Sequence, residues 1–89
     1  MKAILTVIGE DKVGIIAGIS NKMLEYKINI LDVNQTIMQG FFTMIMVLDI
    51  KEMNVSFEEV KAGLNAEGER LGGEVKVQKE EIFKSMHSL

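Results

Sequence analysis

The stretch Ile8-Gly9-Glu10-Asp11-Lys12-Val13-Gly14-Ile15-Ile16 decides how this chain is read. Before it runs an apolar segment, Ala3-Ile4-Leu5-Thr6-Val7-Ile8, too rich in β-branched residues to be a good helix and bounded by Gly9. After it, Ile16, Ile19, Met23 and Tyr26 recur at spacings of three and four, a helical stripe over 13–27. A short Asp/Gly connection between a strand and a helix leaves backbone N–H groups unpaired at the helix start. Such a start can receive a carboxylate or a phosphate. The same residues also serve as plain helix caps.

Working outward, Asn29 opens a second strand over 29–38. Leu31, Val33 and Ile37 alternate with Asp32, Asn34 and Thr36. Gln39-Gly40 is a tight-turn pair. A third strand over 41–50 is apolar at nearly every position, as for a strand in the middle of a sheet. Ser56 and Glu59 have capping-box spacing and start a second helix, with Phe57, Val60, Leu64 and Leu71 as its buried stripe. Gly63 and Gly68 weaken that helix and Gly72-Gly73 end it. A fourth strand follows over 74–79. The tail, 80–89, carries Ile82, Phe83 and Met86 at helical spacing and reads as a short docking helix.

The order β-α-β-β-α-β gives an α+β fold, a ferredoxin-like sandwich with a four-stranded antiparallel sheet and two helices on one face. The helix-covered face is expected to hold Leu5, Val7, Leu31, Val33, Met44, Met46, Leu48, Val75 and Val77. The other face then carries Ile4, Thr6, Ile8, Thr36, Thr43, Ile45 and Val47. It is too apolar for bulk water, so a partner chain or the tail should cover it.

With 89 residues the chain makes one domain, 1–89. A domain this small buries only about 60–65% of the surface exposed by its unfolded chain, and association would help its stability. There is no cysteine, which excludes a disulfide framework, a thiolate metal site and a CxxC redox pair. The net charge of −3 and the single arginine, Arg70, leave no basic face for nucleic acid or for an anionic membrane. The apolar start is too short for a signal peptide, and 41–50 is too short to span a bilayer. The expected location is the cytoplasm.

Catalytic readings fail on chemistry. Acylphosphatases share this topology but need an arginine in a phosphate-cradling loop near the N-terminus, whereas Arg70 lies late in the second helix. His87 stands near a terminus without an orienting partner. Glu58-Glu59 and Glu80-Glu81 are adjacent pairs whose side chains diverge. No cofactor and no metal are expected.

The strand, the segment Gly9 to Ile15, the helix and Asn29-Ile30 together resemble an ACT domain. The resemblance covers the whole chain, including Phe42-Thr43-Met44 and the Ile82-Phe83 tail. It is nearest the small stand-alone ACT proteins of the UPF0237 family, which are similar to the glycine-cleavage-regulator type. The resemblance implies a small-molecule-sensing regulatory module, with the effector, commonly an amino acid, held where two domains of a homodimer meet. It implies ligand contacts from Asp11, Val13, Gly14 and Ile15 in the loop and from Asn29 and Ile30 on the second strand. A metabolic enzyme or regulator would be the controlled partner. A reading of another class stays open: a ligand-free interaction subunit that acts on a partner through its sheet.

Overall fold

The computed structural model describes residues 1–87. The elements are β1 (Lys2–Gly9), α1 (Lys12–Tyr26), β2 (Asn29–Met38), β3 (Phe41–Asp49), α2 (Phe57–Arg70), β4 (Glu74–Lys79) and α3 (Glu80–His87). Of the expected tail, Ser88 and Leu89 lie outside the described residues, as do the side chains of Met86 and His87. The four strands form one antiparallel sheet in the order β2-β3-β1-β4, the ferredoxin-like arrangement expected from the element order.

Each boundary has a local cause. The Asp11 carboxylate accepts the Gly14 N–H at 3.0 Å and starts α1. Lys27, in the left-handed region at φ 57°, closes it, with the Ile28 N–H reaching back to the Met23 carbonyl at 2.9 Å. Asn54 ties down the last turn: its side-chain amide donates to the Glu25 carbonyl at 3.0 Å and its N–H to Tyr26 at 3.1 Å. Gln39 and Gly40 both have positive φ, which makes the β2–β3 connection a two-residue hairpin turn of the kind that matches strand twist. The Ser56 hydroxyl accepts the Glu59 N–H at 3.1 Å and caps α2.

The core lies between the helices and one sheet face. Ala3, Leu5 and Val7 of β1, Phe42, Met44, Met46 and Leu48 of β3, and Val77 of β4 meet Ile15, Ile19 and Met23 of α1 and Val60 and Leu64 of α2. Burying each of these large side chains contributes about 1.5–3 kcal/mol. Relative to the sequence expectation, the buried side of α1 is centred on Ile15, Ile19 and Met23, with Ile16 and Tyr26 at its flank. Gly63 and Gly68 are packing positions: a Cβ on Gly63 would collide with the Tyr26 hydroxyl, and one on Gly68 would meet Val75.

Two expected core residues are not in the core. A bulge between Ile30 and Asp32 takes Leu31 out of the regular ladder, and Leu31 and Val33 are exposed. Val33, Gln35 and Ile37 do share the helix-side face, since they pair with Met46, Met44 and Phe42. But β2 is the sheet edge, and it projects beyond the cover that two helices give to four strands. The opposite face holds Ile4, Thr6, Ile8, Thr36, Thr43, Ile45 and Val47, as expected, because these residues pair with one another.

Candidate functional site

At the start of α1 the structure shows which donors are spoken for. The Gly14 N–H is taken by the Asp11 side chain, and the Ile15 N–H donates to the Asp11 carbonyl at 3.0 Å. The donors with no partner among the described residues are therefore the N–H groups of Lys12 and Val13, the first two positions of the helix. They point out of the N-terminal end, where the helix dipole favours an anion. Asp11 uses Oδ1 for the cap, so Oδ2 is left to accept a further hydrogen bond. It sits over Gly14 so closely that a Cβ there would stand 2.6 Å from it. A side chain at position 14 would therefore require the Asp11 carboxylate to shift.

The other loop residues divide by burial. Val13 is exposed, at 78%, and Ile15 is buried, at 1%. Ile15 therefore anchors the loop to the core and offers no surface. The Lys12 ammonium lies over the Phe42 ring, 5.9 Å from its centroid, a placement with no signal in the sequence because Phe42 is thirty positions away. Gly73, read from sequence only as a helix terminator, also closes in here: its Cα would stand 3.3 Å from a Cβ on Gly9. Two glycines meeting across strands leave no composition signal that distinguishes them from turn glycines.

Asn29 and Ile30 lie elsewhere. Asn29 pairs with Asp49, which pairs with Lys2, at one end of the sheet. Gly9 pairs with Phe42, which pairs with Ile37, at the other end. At about 3.4 Å per residue over the seven steps of β1, the two halves of the expected site are roughly 24 Å apart within one chain. The structure brings Asp11, Val13, Gly14 and Ile15 together and leaves Asn29 and Ile30 at the far end. Asn29 is exposed, Ile30 half-buried.

Two concavities lie outside this loop. One, of about 440 Å³, follows the free edge of β4 past Thr6, Ile8, Asn65, Glu69 and Gly73. Another, of about 450 Å³, lies between the outer sides of α1 and α2 and is walled by two ion pairs, Lys22–Glu25 at 3.1 Å and Arg70–Glu67 at 2.6 Å. The hydrogen bond that Lys22 donates to Glu25 draws the Lys22 pKa up, and the one from Arg70 holds the Glu67 carboxyl below its ordinary range. Arg70 is thereby committed to Glu67 on the outer surface. Among the described residues no group of three or more His, Asp or Glu is placed to hold a metal ion. No helix among them is long and apolar enough to cross a membrane.

Comparison with known proteins converges on one family. The ACT domain family matches residues 2–78. The chain is 56% identical over its full length to a UPF0237 protein of Listeria monocytogenes, covering 100% of both. It is 59% identical to a UPF0237 protein of Clostridium acetobutylicum over 98% of each. Among solved structures, an ACT domain protein from Streptococcus pneumoniae superposes with a TM-score of 0.82 at 38% identity over 98% of both chains. The ligand-free regulatory subunit of aspartate kinase from Thermus thermophilus shares the fold at a TM-score of 0.65 and 20% identity. That match covers 86% of this chain and 50% of the subunit.

Proposed function

Given that the chain belongs to the ACT domain family of small-molecule-binding regulatory modules, within its UPF0237 group, we propose that it is a non-catalytic, cytoplasmic amino-acid sensor working as a homodimer. The effector's carboxylate would be held by the N–H groups of Lys12 and Val13, its ammonium by the free oxygen of Asp11. Val13 and Gly14 would line the loop side, above the buried Ile15. Asn29 and Ile30 of the second chain would close the site, Asn29 by a hydrogen bond to the effector.

The observation that carries this reading is the separation of the two halves. One chain cannot bring them together, but a two-fold axis can. β2 is a ten-residue edge strand. When two such edges pair about a two-fold axis normal to the sheet, they run antiparallel. The Asn29 end of one strand then lies beside the Met38 end of the other. That end is where Ile37 pairs with Phe42, and the Phe42 ring lies beneath Lys12 at the start of α1. Exposed Val33 and Ile37, on the helix-side face of this edge, would be covered in the same pairing.

The other reading, an interaction subunit without a ligand, draws support from the loop itself: its Gly14 and Ile15 donors are already satisfied and the large concavities lie elsewhere. A thermal-shift screen of the purified protein against the twenty amino acids separates the two, followed by calorimetry on any hit. Among the described residues Asn29 makes no side-chain hydrogen bond, so Asn29→Ala should leave the fold intact. It should weaken effector binding by about 1–3 kcal/mol if the lost bond leaves a buried partner unpaired. Ile37→Lys should weaken both association and binding. A wild-type protein that binds none of the twenty would favour the interaction subunit. Equal affinity in wild type and Asn29→Ala would place the site elsewhere.

A further inference from the structure

The sheet face turned away from α1 and α2 is covered over only half its length. Ile4 lies on this face, since it pairs with Val47, and is 7% exposed although it belongs to no part of the helix-side core. The cover is α3, which continues from β4 without a loop and packs back against β1 and β4. Four residues further along β1, Ile8 is 40% exposed, and so is Ile45 on β3. Between them lie Thr6 and Thr43, half-buried. Ile82 on α3 is also exposed, at 53%. The ACT domain match ends at residue 78, whereas the full-length relatives match through α3. This helix lies beyond the span of the domain match.

We infer that the uncovered half of this face is occupied by α3 of a second copy, each copy lending its helix to the other's sheet. The dimensions allow it. Ile4 to Ile8 spans about 13 Å along the strand, and neighbouring helices pack about 8–10 Å apart, so there is room for one more helix beside the first. An eight-residue helix is about 12 Å long, short enough to lie across the remaining strands.

The surface is self-complementary, as a two-fold contact requires. Exposed apolar residues occur in two sets, Ile82 on the helix and Ile8 with Ile45 on the sheet, which a two-fold axis would exchange. The charges follow the same rule. Glu74 and Lys76 of β4 border the uncovered half, and Glu81 and Lys84 of α3 carry the opposite sequence of signs when the helix is turned to face them. All four are exposed, and among the described residues none is in an ion pair. Apolar contact is supplied by the isoleucines, and the charges fix the direction.

This contact uses a surface distinct from the β2 edge, and the two together make a tetramer of paired dimers. Sedimentation of the full chain tests it. The wild type should run at four times the 9.9 kDa of one chain, Ile45→Lys as a dimer, Ile37→Lys as the other dimer, and the double variant as a monomer. Glu58→Lys, on the exposed side of α2, is the control and should leave the tetramer unchanged. A dimer abolished by Ile45→Lys but untouched by Ile37→Lys would uphold this contact and remove the β2 pairing. An assembly indifferent to Ile45→Lys, or a monomeric wild type, would overturn it. Because the chain has no cysteine, a second measurement is clean. Tagged Ile82→Cys mixed with untagged Ile8→Cys should give the mixed disulfide on mild oxidation. Cross-linking no better than with a Glu58→Cys partner would reject the exchange of helices.

Discussion

Asp11 and Gly14 should be energetically coupled, so that the effect of a substitution at one depends on the residue at the other. Asp11→Ala removes the acceptor of the Gly14 N–H, a cap whose loss costs about 1 kcal/mol within a range of about 0.5–2. Gly14→Ala has two opposed effects. Inside a helix, alanine is favoured over glycine by about 0.5–1 kcal/mol. In this helix, however, the new Cβ would stand 2.6 Å from Asp11 Oδ2 and 3.0 Å from its Cγ, so the carboxylate must shift from its present position, which weakens the cap. In the wild type the gain and the loss nearly cancel. In an Asp11→Ala background there is no carboxylate to displace, and Gly14→Ala should then stabilise by the full helix gain. The expected coupling is about 1 kcal/mol, well beyond the roughly 0.3–0.5 kcal/mol within which independent substitutions add. Urea denaturation of the four proteins measures it, with midpoints compared at constant slope. In thermal melts a difference of 1 kcal/mol is about 4–8 °C for a domain of this size. If Gly14→Ala stabilises both backgrounds equally, the carboxylate does not hold Gly14, and the account of why a glycine stands there is wrong.

Leu5→Ala, at a fully buried position in a central strand, should cost about 2–5 kcal/mol in urea denaturation, while Leu24→Ala, at a position 79% exposed, should stay within about 0.5 kcal/mol. Glu67 is held below the ordinary glutamate value by its hydrogen bond from Arg70. Its contribution to stability is therefore complete above that value and lost as the pH falls through the lower, folded-state pKa. Glu67→Gln should therefore lower stability at neutrality, flatten the stability-against-pH curve in the acid range and converge with the wild type below the folded-state pKa. Arg70 is bound to Glu67 through both Nε and Nη2 on the outer surface of α2. Acyl phosphate hydrolysis should accordingly stay at the uncatalysed rate, and activity abolished by Arg70→Ala would refute the non-catalytic reading.

The order and type of the elements could be read from sequence because the apolar period changes from two to about 3.6 at Asp11 and Ser56, where capping residues also stand. Ser56 and Glu59 were enough to place the start of α2, and Gln39-Gly40 the hairpin. Strand β2 is less legible. Leu31, Val33 and Ile37 have the spacing of one strand face, and nothing in that spacing reveals an extra residue at Leu31. Whether Val33 is buried depends on how far α1 reaches across the sheet, which is a tertiary quantity. Ala3 and Phe42 are buried without a signal in the sequence, because small or terminal residues of a strand carry little pattern of their own. For the candidate site, the loop residues were legible as a helix start. That Asp11 would consume the Gly14 donor, and that Asn29 would lie at the opposite end of the sheet, follows from side-chain geometry and strand direction. Neither is encoded in local spacing.

The bare rim of β2 also bears on the life of the chain before any partner is found. Natural edge strands are commonly blunted by lysine, by proline or by being short. β2 has ten residues, no lysine, no proline and one charge, Asp32; its only interruptions are the bulge at Leu31 and the Asp32 carboxylate that takes the Val33 N–H at 2.9 Å. A newly made copy thus offers open backbone donors and acceptors to any extended segment it meets. Under the proposed pairing of β2 edges, safe accumulation becomes a matter of supply: copies produced close together in time and space would cover one another, while a lone copy among unfolded neighbours would leave this edge open to stacking. Synthesis rate and dosage, rather than folding stability alone, would then set how much of this protein stays in solution.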